Sequence, residues 1–231
     1  MLKKLLKKNK HFYKLLLDSR EVLRILYNKK TRSRFLWNLR KGDTRLTLNY
    51  PLDKDSIVFD VGAYKGEFSS KLLDKFDCNI YMFEPLNEYF QILNQKFGSK
   101  KNVKIFNYGL LDETLSFFIS NIGAGSSLFF REEESKKTKV KIKSIVEFLE
   151  EHSITSIDLL YINIEGSEYK LLDSLIREDK IRSIKHLQVQ FHNYIDNAVE
   201  KRKKIRKELC KTHTCKFNFP FIWERWDLKT D

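Results

Sequence analysis

Cysteine is nearly missing from this 231-residue chain: its three copies, Cys78, Cys210 and Cys215, are scattered and odd in number. Such a set excludes a disulfide framework and fits a reducing compartment. His213 stands between Cys210 and Cys215, but the spacing matches no zinc template, so no metal is expected. Long apolar runs are missing as well. In residues 1–45 the longest is Leu15 to Leu17, far short of a membrane span or the core of a secretion signal, and a cytoplasmic protein is the expectation. Glycine is limited to eight residues and falls short of a phosphate-binding pattern. After Gly62, the positions at which a dinucleotide turn requires glycine hold Tyr64 and Glu67, and no Walker-type spacing occurs. A pyrophosphate or triphosphate ligand is thereby disfavoured, and with it a nicotinamide dehydrogenase.

Acidic residues are scarce at one end only. The chain carries 44 Lys+Arg against 31 Asp+Glu, a net charge of +13, which suggests a nucleic-acid partner until it is divided along the sequence. Residues 1–45 hold 15 basic and 3 acidic residues, leaving 29 and 28 for the rest, so the body is close to neutral. Within the basic segment no proline or glycine precedes Gly42, and Leu2, Leu5, Leu6, Phe12, Leu15, Leu16, Val22, Leu23 and Leu26 recur at helical spacing. One or two amphipathic helices are expected, either lying with a cationic face on an anionic membrane surface or an acidic partner, or packing the apolar stripe on the domain with the cationic face solvated. The expected division is a basic helical extension over residues 1–45 and a catalytic domain over residues 46–231.

Apolar content is ample for a core at 42% of residues. The run IVFDVGAYKG at residues 57–66 reads as a buried strand, a tight turn and the start of a helix over Glu67 to Phe76. Strands over Asn79 to Glu84 and Val103 to Tyr108, with a helix between them ending near Phe97, continue a βαβ rhythm. Leu115 to Ser120 and Lys137 to Lys143 alternate as an antiparallel pair over the pocket, separated by a GSSL segment at residues 125–128. A helix over Ile145 to Glu151 precedes IDLLYINIEGSEYKLL, a strand, a turn at Gly166 and a helix. A strand from Ile184 to Phe191 stops next to His192. A helix over Asp196 to Leu209 follows, its KRKKIRK run reading as a solvated face. Two aromatic-rich antiparallel strands, Lys216 to Phe221 and Ile222 to Leu228, close the chain. The expected fold is α/β: a doubly wound, mostly parallel sheet with an antiparallel C-terminal strand.

Chemistry concentrates at two strand ends. Asp60, Gly62 and Gly66 surround the first turn, and Glu84 closes the second strand, where an acid accepts hydrogen bonds from ribose hydroxyls. A nucleoside-like ligand without a phosphate at the turn follows, and S-adenosylmethionine is the common one. In order and separation, VFDVGAYKGEFS, YMFEP, GSSL and DLLYINIEGSEYKLL resemble the FkbM-type S-adenosylmethionine-dependent methyltransferases, over about residues 56–193. The resemblance implies a class I methyltransferase fold. It puts Asp60, Gly62 and Gly66, with Ala63 and Tyr64 between the glycines, around the methionine part of the cofactor. Glu84 and Pro85 would hold the ribose and adenine edge, and Asp112 would reach the adenine amine.

The resemblance also marks Asn163, Glu165 and Glu168, with His192 at the end of the next strand, as the acceptor side. The family usually has Asp where this chain has Asn163, and often Lys where it has Tyr161. Asn163 loses a charge, which weakens any metal site and removes one base. His192 is then the natural base for a hydroxyl acceptor near neutral pH, with Glu165 next. The implied activity is O-methylation of a sugar hydroxyl, on a surface glycan or its lipid-linked or nucleotide-linked precursor. RNA methylation through the basic arm is the alternative, although no RNA-binding motif accompanies it. A noncatalytic binding protein on the same fold is another, motivated by Asn163.

Overall fold

Chain order in the computed structural model is α1 (Lys29–Leu39), β1 (Ile57–Val61), α2 (Glu67–Leu73), β2 (Asn79–Phe83), α3 (Asn87–Phe97), β3 (Val103–Phe106), β4 (Gly109–Leu111), β5 (Leu115–Ser120) and β6 (Lys137–Ser144). It continues with α4 (Ile145–Glu151), β7 (Ile157–Ile162), α5 (Glu168–Arg177), β8 (Ile184–Val189), α6 (Ala198–Thr212), β9 (His213–Phe219) and β10 (Trp223–Leu228). The structure describes residues 24–120 and 137–230. Residues 1–23 of the expected basic helical extension and the GSSL segment lie outside the described residues.

Strand β1 is the keel of the sheet. Val58 to Val61 are buried, because helices cover both faces and neither face can be polar. The seven-stranded order is β3-β2-β1-β7-β8-β10-β9. The β1, β2, β3, β7 and β8 pairings are parallel, and β10 is antiparallel to both β8 and β9. The chain therefore winds outward from β1 to β3, returns to β7 and winds the other way. The carboxyl ends of β1 and β7 flank the switch point, where open α/β sheets form their ligand crevice. A larger core on one face gathers Phe59, Val61, Phe83, Leu160 and Leu187; the other face packs Val58, Ile80, Met82 and Leu159 under α2 and α3.

The second sheet, β4-β6-β5, contains the expected antiparallel pair, with Leu115 opposite Ile142 and Phe117 opposite Val140. It also holds a third strand that sequence reading missed: β4 is only three residues long and pairs parallel with β6, which leaves almost no periodicity to detect.

Two expectations change at the C-terminal edge. The KRKKIRK run is not a solvated face throughout. Arg202 and Arg206 turn inward from α6 onto the carboxylate of Glu224, whose side chain is 1% exposed, and Trp226 Nε1 donates to the same group at 3.1 Å. Two cations one helical turn apart can meet one acid on the neighbouring strand, which is why a run of basic residues hides two half-buried ones. Residues 29–39, counted by charge with the basic extension, are anchored by Trp37. Its ring is fully buried against Phe217 and Phe219 of β9, at 5.7 and 5.3 Å between ring centroids, and its Nε1 donates to Asp43 at 2.9 Å.

Glu224→Ala would leave two guanidinium groups on an apolar hairpin without their counter-charge. The expected cost is about 3–5 kcal/mol in denaturant unfolding; a loss below about 1 kcal/mol would mean that the pairs behave as screened surface contacts.

Candidate active site

Gly62 leaves β1 with φ +86°, and an added Cβ would lie 2.3 Å from the carbonyl oxygen of Asn163 at the end of β7. Asn163 in turn donates its backbone N–H to Val61. Gly66, at φ +73°, would press a Cβ into Phe97 and Leu93 of α3 at 2.5 and 2.9 Å. The two glycines were expected to let backbone approach a ligand; the structure fills their Cβ directions with protein. They are required by the joining of the β1 and β7 loops and by the seat of α3.

The amides of this turn are also committed. Gly62 and Ala63 donate to the Phe83 carbonyl, Gly66 donates to Ala63, and Tyr64 donates to the Glu84 carboxylate at 2.9 Å. A phosphate would need those amides pointing outward, so the backbone agrees with the missing third glycine. Tyr64 holds this loop at φ +50°, an uncommon value for a residue with a side chain, and its ring meets Tyr89 edge-on at 4.3 Å.

Asp60 and Glu84 line the cofactor side. Asp60 is 1% exposed and receives the Ser69 hydroxyl at 2.6 Å; burial pushes its carboxyl up to about 7. Glu84 accepts from Tyr64 and from the Leu86 amide, both at 2.9 Å, and burial likewise raises it to about 7. Each Glu84 oxygen keeps a second lone pair for a ligand hydroxyl. Pro85 packs beside Gly109, and Asn107, which sequence reading overlooked, donates its side-chain amide to the Glu84 carbonyl at 3.1 Å. Asp112 follows β4 directly, and its buried Oδ1 has no hydrogen-bond partner among the described residues. The third strand, expected through Tyr108, ends at Phe106.

The acceptor side is built on Glu168, which is wholly buried in the first turn of α5, where the helix dipole favours an acid. It accepts the Gly166 amide at 2.8 Å and the His192 amide at 2.7 Å. The His192 ring lies between two acids: Nδ1 is 3.3 Å from Glu168 Oε1, and Nε2 is 3.5 Å from Glu165 Oε2. Glu165, at φ +50°, also accepts the Tyr194 hydroxyl at 2.6 Å. Tyr194 was missed in the sequence; its only signal was its place two residues after His192. Asn163 joins the crevice from β7, and its buried Oδ1 has no hydrogen-bond partner among the described residues. Cys210 and His213 are occupied elsewhere: Cys210 is exposed, while His213 is buried with Nε2 2.9 Å from the Ile184 carbonyl and Nδ1 2.7 Å from Thr212.

The profile of the Methyltransferase FkbM domain matches residues 60–219, well over half of the chain. The chain belongs to the FkbM methyltransferase family. It has accordingly the class I methyltransferase fold. Its fold is similar to FkbM methyltransferase from Methylobacillus flagellatus, at TM-score 0.53 and 12% identity over 87% of this chain and 55% of that one. The chain thus spans about half the length of that relative. A candidate rRNA methylase from Clostridium thermocellum matches at TM-score 0.51 and 10% identity, covering 84% and 96% of the two chains. A candidate methyltransferase from Streptococcus mutans, solved with S-adenosylhomocysteine, matches at 0.50 and 12%, covering 83% and 97%. No curated protein matches the chain significantly.

The residues present fit the FkbM enzyme's cofactor. Buried, uncompensated Asp60 suits a cationic group, the spare lone pairs of Glu84 suit ribose hydroxyls, and the orphaned Asn163 Oδ1 awaits a donor. Because both acids are raised, the folded apoprotein holds protons that the unfolded chain releases between about pH 4 and 7. Its stability therefore falls as pH rises through that window. Asp60→Asn should raise the melting temperature at pH 8, show no gain below pH 4, and weaken cofactor binding about tenfold or more, the value of one charged hydrogen bond. A melting temperature difference that does not change with pH would show that Asp60 ionises normally.

Proposed function

We propose that this FkbM enzyme methylates an oxygen, the hydroxyl of a sugar on a surface glycan or on its lipid-linked or nucleotide-linked precursor. The observation that carries the reading is His192 held between Glu168 and Glu165 at the carboxyl end of β8, next to the crevice. Methyl transfer needs the acceptor oxygen aligned with the methyl group, and a hydroxyl must also lose its proton. S-adenosylmethionine supplies the methyl group, on a cationic sulfonium.

The chain's own residues supply the rest. The amide of Gly166 and the amide of His192 fix the Glu168 carboxylate, which can hold a proton on Nδ1 of the ring. In that tautomer Nε2 presents its lone pair toward Glu165. An acceptor hydroxyl seated there passes its proton to Nε2, and the two flanking carboxylates stabilise the imidazolium. Tyr194 keeps Glu165 in place and leaves its ring 44% exposed beside His192, at 5.4 Å between centroids. Such a ring suits the apolar face of a sugar. On the cofactor side Asp60 would take the ammonium group, Gly62, Ala63, Tyr64 and Gly66 would wall the methionine, and Glu84 with Pro85 would hold the ribose and adenine edge.

The reaction is assigned to the cytoplasmic side of the membrane, with the basic N-terminal residues 1–45 docking near anionic lipid where glycan precursors are assembled. No described helix is long and apolar enough to cross a membrane. RNA methylation is the competing reading, favoured by the cations of α1.

Labelled cofactor incubated with nucleotide sugars, glycan extracts and RNA should label carbohydrate. His192→Ala should leave cofactor binding nearly intact and cut turnover by about 10²–10⁴-fold, the range for a lost general base. Equal loss of cofactor affinity in His192→Ala, Asp60→Ala and Glu84→Ala would show that His192 belongs to the cofactor side.

A further inference from the structure

Between α1 and the end of β9 lies a cavity of about 490 Å³, lined by Lys29, Arg32, Arg40 and Lys216 around Phe217 and Pro220. No acid lines it, and none of the four cations forms an ion pair among the described residues, although ion pairs are plentiful elsewhere on the surface. Lys29 and Arg32 project from α1 and Arg40 follows directly after its last residue, all three lining one side of the cavity, and Lys216 meets them from β9. Trp37 fixes that face by packing on Phe217 and Phe219.

The groove opens at the active-site end of the sheet. In the register, Phe219 stands opposite Trp223, and Glu224 stands opposite Val189, the last residue of β8 before the segment that carries His192. From β9 to β8 is two strand spacings, about 10 Å. The link is also direct, since Lys30 Nζ of α1 donates to Asn193 Oδ1 at 3.0 Å, one residue from His192.

Resting on the carbohydrate reading of the active site, we propose that this groove binds the phosphate or diphosphate of the acceptor substrate. The methyl acceptor is then a phosphate-linked sugar: the cations hold the phosphate while the sugar reaches Nε2 of His192. Four converging cations without an acid favour a doubly charged group over a lone carboxylate, and arginine matches phosphate oxygens two at a time. A concave site of this size takes a small anion with part of its ring; a bilayer surface would meet a flat or convex basic face.

The test uses the full chain and two readouts. Inorganic pyrophosphate should bind the wild type in a salt-sensitive manner, and Arg32→Glu/Lys216→Glu should abolish that binding while leaving S-adenosylmethionine affinity and the melting curve unchanged. With phosphate-linked sugars as acceptors, the same variant should raise KM at least tenfold with little change in kcat, and Arg32→Lys should retain most of the wild-type KM. Sugar linked to a nucleotide and sugar linked to a polyprenyl diphosphate in detergent, run side by side, identify which source of the phosphate is used; turnover of either supports the proposal. The proposal falls if the wild type does not bind pyrophosphate. It also falls if the variant methylates phosphate-linked and phosphate-free sugars as the wild type does, an outcome that leaves the carbohydrate reading standing. Methyl transfer to RNA that depends on Arg32 and Lys216, with no sugar labelled, overturns both.

Discussion

The carboxylate of Glu168 ties the acceptor side together. It is shut away from solvent, yet it takes hydrogen bonds from the Gly166 turn, from the backbone of His192 and from the His192 ring. One acid thereby fixes the loop after β7, the loop after β8 and the orientation of an imidazole. A buried carboxylate is tolerated only where donors surround it, and these donors are the groups whose positions matter for chemistry. The first turn of α5 adds a favourable dipole, so the start of the helix and the geometry of the base are set by the same residue. The cofactor side is bound to this frame through the close approach of Gly62 to the Asn163 carbonyl. Displacing either loop would move donor and acceptor relative to each other.

Strands buried on both faces were legible because their apolar runs leave no alternative, and their ends were legible because Asp60, Glu84 and His192 interrupt those runs. The candidate residues at such ends therefore stood out as a group. Three features were hidden for physical reasons. A three-residue strand such as β4 has no period to read, so the path beyond β3 was missed. A cation turned inward looks the same in sequence as one turned outward; only the partner strand distinguishes Arg202 and Arg206 from Lys203 and Lys204. A glycine does not say what approaches it, and at Gly62 and Gly66 the visitor is the protein itself. Tyr194 was hidden differently, because its partner Glu165 lies 29 positions away.

Charge is divided across the crevice in a way that suits the proposed reaction. On the cofactor side Asp60 and Glu84 are desolvated and raised to about 7, so a cationic donor stabilises their ionised forms. On the acceptor side His192 stands between Glu165 and Glu168. Methyl transfer to a hydroxyl turns a cationic donor into a neutral one and releases a proton. If that proton goes to His192, the positive charge lost from the sulfonium reappears between Glu165 and Glu168. Neither end of the step then leaves a net charge without an acid facing it inside a dry crevice, the situation that costs most in a medium of low dielectric. Asp60 and Glu84 would face the ammonium group and the ribose hydroxyls, which the transfer leaves unchanged, so the two acids would keep the cofactor in register with the loops that Glu168 and Gly62 hold in place.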